Sequence, residues 1–191
     1  INTHEQVNSS NTIKLVLHEE LPSTWISTSW SDFDKTQEYG APITRLALLS
    51  NSESSSIKNP LLSIILLLKK ELNKRGYILD YSIVNSLGFL ISNNSKLIFS
   101  IKSAPLYALL NLANSDSHNF TSEVLFRKAI GSWHTLPIKK SYLKWVKRMG
   151  LSEFHNFSDP SGLSRGNRLT SRGITRFLRR MDLHRYSEFY Y

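Results

Sequence analysis

The chain has 191 residues, 40% hydrophobic and 20% charged, a composition that excludes a disordered segment and allows about one domain. It has no cysteine, which excludes disulfide scaffolds, thiolate zinc sites and thiol catalysis. Its formal net charge is +9, and the whole excess lies between Lys139 and Arg185, where twelve basic residues stand against three acidic ones, a pattern that first suggests a polyanion such as nucleic acid.

Residues 1–12 are polar. Residues 13–17, Ile-Lys-Leu-Val-Leu, predict a short strand. Residues 22–40 read as a loop that carries Trp25, Trp30, Phe33 and Tyr39, aromatics too large to leave in water. Gly40-Ala41-Pro42 is a turn signal, and residues 43–49 predict a second strand. The serine-rich stretch 51–56 is the best internal boundary, dividing a strand and aromatic-loop segment, 1–50, from a mainly helical part, 51–191.

A first helix follows, with Asn59 as cap, Pro60 at its first position and Gly76 past its end. Leu61, Ile64, Ile65, Leu68 and Leu72 share one face of it. Residues 77–79 and 96–101 are strand-like, and 81–91 are ambiguous between helix and strand. A second helix is expected over 104–113, capped by Ser103, and a third from Phe120 to Gly131 with Val124, Leu125 and Ile130 as its apolar positions. A fourth covers 141–149 and stops at Gly150. Thr170 caps a fifth that runs to about Met181. The longest apolar run, 61–68 interrupted by Ser63, falls far short of the roughly 20 residues of a bilayer span. No signal-peptide pattern opens the chain, and both ends, Ile1 and Phe189-Tyr190-Tyr191, read as cut.

Two polar stretches stand out. Asn114-Ser115-Asp116-Ser117-His118-Asn119 breaks two apolar helices and can present a hydroxyl and an amide to a cleft. Locally it is also no more than a helix stop and start. The loop Asp159-Pro160-Ser161-Gly162-Leu163-Ser164-Arg165-Gly166-Asn167-Arg168-Leu169-Thr170 is a tight turn rich in polar contacts. The six histidines show no metal-ligand spacing, so no metal site and no cofactor are expected.

Together these stretches resemble the low-molecular-mass class C penicillin-binding proteins, the serine D-alanyl-D-alanine carboxypeptidases and endopeptidases. Ser103-Ala104-Pro105-Leu106 followed by 114–123 is similar to the family's S-P-P-L and N-x-x-S-x-N-x-x-A-E block, and 159–170 to its D-G-S-G-L-S-R-x-N-R-x-T block. Trp25, Trp30 and Asp32, then Tyr39-Gly40-Ala41-Pro42, match a W-x-W-D and Y-G-A-P block. The resemblance implies an α+β chain: part of the penicillin-binding-protein transpeptidase, β-lactamase-like fold, mainly its helical part with a few flanking strands. It implies that Ser117 relays a proton between nucleophile and leaving amine, and that Asn119 bonds the catalytic lysine and the substrate amide. Asp159, Ser161 and Arg165 would bind substrate, with Arg165 meeting a carboxylate of the peptidoglycan stem peptide. β-Lactams would acylate the complete enzyme, located in the periplasm or cell envelope.

The sequence departs from the family in four ways. Pro160 replaces a glycine of the turn. About ten residues stand where a long insertion is usual. Ser-x-x-Lys and Lys-Thr-Gly are both missing, which reads as the middle part of a longer enzyme, inactive alone and exposing apolar surface. Ser55-Ser56-Ile57-Lys58 fits Ser-x-x-Lys by letter, but it lies before the helix, where serine and lysine do not share a helical face. The alternatives are a non-catalytic scaffold of the same fold and a basic nucleic-acid-binding module. The arginines around the apolar positions Ile174, Phe177 and Leu178 speak against the second, so no nucleic acid is expected.

Overall fold

The computed structural model describes residues 11–85, 96, 98–133, 135–151 and 155–183. Among these residues the chain forms five helices and two two-stranded sheets, a mixed architecture compatible with α+β. Strand β1, Thr12–Glu19, pairs in parallel with β2, Ile78–Asn85, in the register Thr12↔Ile78 to Glu19↔Asn85. Between them lie four short 3₁₀ turns and helix α1, Pro60–Asn73, which packs on β2.

Helix α1 starts where its capping residues place it. The Asn59 side chain accepts from the Leu62 N–H at 3.1 Å, and Gly76 takes φ +78 beyond its end. Leu61, Ile64 and Ile65 are buried, each contributing about 1.5–3 kcal/mol. Leu68, expected on that face, is exposed, as are Leu62, Leu66 and Leu67. The expected apolar surface is therefore present on α1.

Helices α2, Leu106–Ser115, α3, Asn119–Ile130, and α4, Thr135–Arg148, follow. Gly131 and Gly150 close α3 and α4 with left-handed backbones. The short strands β3, His155–Asn156, and β4, Arg168–Leu169, pair antiparallel and pinch the base of the Asp159 loop. Helix α5, Ser171–Asp182, begins at Thr170, whose hydroxyl accepts from the Gly173 N–H at 3.0 Å.

Several expectations are corrected. Residues 43–49 are not a strand. The Arg45 and Leu46 N–H groups donate to Glu19 Oε2 at 2.8 and 3.2 Å, and Ile43 N–H to the Trp25 carbonyl, so a side chain takes bonds a neighbouring strand would need. Residues 98–101 are irregular, and Leu97 lies outside the described residues, as do 86–91 of the ambiguous stretch. Ser103 does not cap α2, because its hydroxyl donates to the Ala104 carbonyl and Pro105 stands at the cap. The buried positions of α3 are Thr121, Glu123 and Arg127, while Val124, Leu125 and Ile130 are half-buried. That inversion prepares the site.

Candidate active site

The loop from Asp159 is built around one carboxylate. Asp159 is 6% exposed, and its two oxygens accept four bonds. The Ser164 N–H and the Trp30 indole N–H reach Oδ2 at 2.7 Å each, and the Gly162 N–H and Asn167 amide reach Oδ1 at 2.8 and 3.0 Å. The carboxylate thus folds the loop and ties it to the aromatic segment. Gly162 has φ +82, which its lack of a Cβ permits. Pro160 does no harm here, because the N–H groups that reach Asp159 belong to residues 162 and 164.

A second tie runs to α3. The Ser161 hydroxyl donates to Glu123 Oε1 at 2.8 Å, and Glu123 Oε2 lies 3.8 Å from Arg127 Nε. Both charged residues are buried. Burial pushes the Glu123 carboxyl up to about 7, against the opposing pull of Arg127. Burial likewise lowers Arg127, opposed by Glu123, Glu19 and Glu20. The Arg127 guanidinium also donates to the Thr24 carbonyl at 3.3 Å and lies 5.6 Å from the Trp133 ring centroid. Arg45 stands over the same ring at 4.8 Å while it bonds Glu20.

A third group lies beside the loop. Asp34 is buried and accepts from Ser31 Oγ at 2.7 Å and from the Tyr39 hydroxyl at 3.2 Å. The Ser31 hydrogen bond, with smaller help from Tyr39 and Arg165, holds its carboxyl below the usual range. Arg165, 84% exposed, brings Nη2 to 3.8 Å from Asp34 Oδ2. Tyr39 then continues the chain of contacts, since its backbone carbonyl accepts from the Asn119 side-chain amide at 3.2 Å. Gly40 is required beside it, because a Cβ there would lie 1.9 Å from the Asp34 carbonyl oxygen.

Asn119 and Ser117 border a cleft of about 310 Å³ whose lining also includes Tyr39, Ser50, Ser52 and His118. Ser117 has φ +53 and is exposed. Ser50, also in the lining, lies in the turn Leu49–Asn51, whose three residues are likewise left-handed. Asn51 braces it by donating to the Pro42 carbonyl and Thr44 hydroxyl at 2.7 Å each. Left-handed backbone at non-glycine residues is costly and gathers where function over-determines geometry.

The structure therefore joins Asn119 to Arg165 through Tyr39 and Asp34, and Ser161 to α3 through Glu123. It does not bond Ser117 to any of them. Asp159 is occupied by its own loop and by Trp30. Ser55 sits in the turn closed by the Ser52–Ser56 bridge, before α1 begins at Pro60. Sequence reasoning gave no role to Glu123, Asp34, Arg127 or Tyr39. Glu123 and Tyr39 lay inside the quoted blocks and could have been singled out there.

Among protein families, the model of the D-Ala-D-Ala carboxypeptidase 3 (S13) family matches residues 47–188. No curated protein matches the chain. Trp30, Asp34 and Tyr39 precede the matched residues and are joined to them, Trp30 and Tyr39 by hydrogen bonds and Asp34 by its ion pair with Arg165.

Proposed function

From the premise that the chain belongs to the D-Ala-D-Ala carboxypeptidase 3 (S13) family, we propose that it supplies one wall of a serine carboxypeptidase or endopeptidase site for peptidoglycan stem peptides. In this reading a serine outside these 191 residues attacks the carbonyl carbon of the penultimate D-alanine. The C–N bond breaks, and the serine proton passes by way of Ser117 to the departing amine. Water then hydrolyses the ester. The Asn119 amide holds the substrate's backbone, and Arg165 meets a carboxylate of the stem peptide. The nucleophile needs a base beside it and the acyl intermediate needs fixed donors, so the cleft contributes by position.

The observation that carries this reading is the chain of contacts from Asn119 through Tyr39 and Asp34 to Arg165. It links an amide to a guanidinium through two residues, with Asp34 steadying the guanidinium, and so supports their acting on one substrate. Asp159 and Ser161 serve by holding the Arg165 loop in place. β-Lactams, whose strained amide mimics the scissile bond, would acylate the same external serine in the cell envelope.

The test is a fluorescent penicillin, applied to the 191-residue chain and to a longer gene product carrying Ser-x-x-Lys and Lys-Thr-Gly. Only the longer protein should label. Labelling of the short chain at Ser55 overturns the assignment. In the labelled protein, Arg165→Ala should slow carboxyl-bearing peptides at least tenfold more than small esters, and equal losses remove Arg165 from substrate binding.

A further inference from the structure

We propose that helices α4 and α5 form a docking surface for an anionic phospholipid bilayer. The inference is independent of the carboxypeptidase reading. Helix α5 divides sharply: Arg172, Arg176, Arg179 and Arg180 recur at one helical face, while Ile174, Phe177, Leu178 and Met181 recur at the other. Its mean composition is polar, and its single acid is Asp182. This is the pattern of a helix that lies on a membrane, with basic residues around an apolar stripe. No helix among the described residues is long and apolar enough to cross one.

The apolar stripe is only partly covered. Phe177 packs edge-on against Trp145 of α4 with ring centroids 6.1 Å apart. Ile174 remains 43% exposed, Leu178 59% and Leu183 77%. Between the two helices lies an almost wholly apolar cavity of about 380 Å³, walled by Tyr142, Trp145, Leu151, Phe157, Leu169, Ile174 and Phe177.

Helix α4 adds charge of the same sign. It contains no acid, and Lys144, Lys147 and Arg148 are exposed. Its end meets α5, since a Cβ on Gly150 would lie 3.7 Å from Arg180 Nη2. Among the described residues, Lys144, Lys147, Arg148, Arg172, Arg179 and Arg180 have no carboxylate at ion-pair distance. A nucleic-acid duplex would satisfy these cations and leave Ile174, Leu178 and Leu183 in water. An anionic bilayer satisfies both, with phosphates at the guanidinium groups and the apolar side chains at the acyl boundary.

The experiment floats the full chain with vesicles of 30% phosphatidylglycerol in phosphatidylcholine, and with phosphatidylcholine alone. The chain should bind the first and not the second, and 0.5 M salt should weaken binding. Brominated lipid should quench tryptophan emission as Trp145 nears the boundary. Each basic residue near such a surface contributes on the order of fivefold to partition. Arg179→Gln with Arg180→Gln should therefore weaken binding about twentyfold or more, with Lys147→Gln plus Arg172→Gln as a second pair should circular dichroism show the first to be misfolded. Leu178→Ser should weaken binding at both salt concentrations. Absence of binding to the anionic vesicles overturns the proposal. So does equally tight binding to duplex DNA combined with a neutral Leu178→Ser, which means plain polyanion attraction.

Discussion

Glu123→Gln isolates the cost of burying an acid beneath the Asp159 loop. In the folded protein this carboxyl is pushed up to about 7 from 4.5, chiefly by burial. Between those values the folded chain holds a proton that the unfolded chain has released. Stability therefore falls as pH rises through the window, and the whole loss is present above about pH 7. At 1.36 kcal/mol per unit, the shift corresponds to about 3 kcal/mol as an upper figure. Glutamine keeps an oxygen for the Ser161 hydroxyl, now at 2.8 Å from Glu123 Oε1, and has no proton to lose. Urea unfolding at pH 5 and pH 8, followed by tryptophan emission, reads the difference. Because pH 5 already lies above the unfolded value, part of the loss has occurred there, and wild type should lose about 2–3 kcal/mol more than the variant between the two pH values, roughly 1 M in midpoint for a slope near 2 kcal/mol/M. Other titrating groups are common to both proteins and cancel in the comparison. Parallel pH profiles would falsify the claim that burial outweighs Arg127 at this carboxylate.

Two further perturbations address the loop's anchors. Trp30→Phe removes the indole donor that reaches Asp159 Oδ2 at 2.7 Å, and should lower stability by about 1.5–3 kcal/mol in the same assay; a change below 0.5 kcal/mol would show that the other donors suffice. Gly40→Ala forces a Cβ toward the Asp34 carbonyl, and should cost about 1–3 kcal/mol in thermal or urea unfolding, with a neutral result refuting the close approach.

The parts of the fold that were legible in the sequence are those decided locally. Asn59-Pro60 and Thr170 announced the starts of α1 and α5, and Gly131 and Gly150 announced ends, because caps and left-handed closures need only a few neighbouring residues. The failures are non-local. Residues 43–49 have strand composition, yet Glu19, distant in sequence, takes the N–H groups of Arg45 and Leu46, and the Trp25 carbonyl that of Ile43. In α3 the apolar spacing pointed to Val124, Leu125 and Ile130, but the helix turns Glu123 and Arg127 inward, where Ser161 and the Thr24 carbonyl await them. Of the candidate site, the two motif stretches were legible by resemblance. The link between them was legible only in part: Tyr39 opens the Tyr-Gly-Ala-Pro block, but Asp34 shows nothing unusual until Arg165 is set beside it.

The parallel pairing of β1 with β2 sets an order on synthesis. Thr12 meets Ile78, so β1 leaves the ribosome roughly 65 residues ahead of its only described partner strand, a wait of about 3 to 13 s at 5–20 residues per second. Throughout that interval its backbone donors and acceptors are bonded to water, and Ile13 and Val16 are open to other strands. Helix α1 emerges just before β2 and can fold on its own local contacts. The nascent chain thus carries β1 without this partner until its helix has formed, and a chaperone acting in that interval would find the strand's edge open.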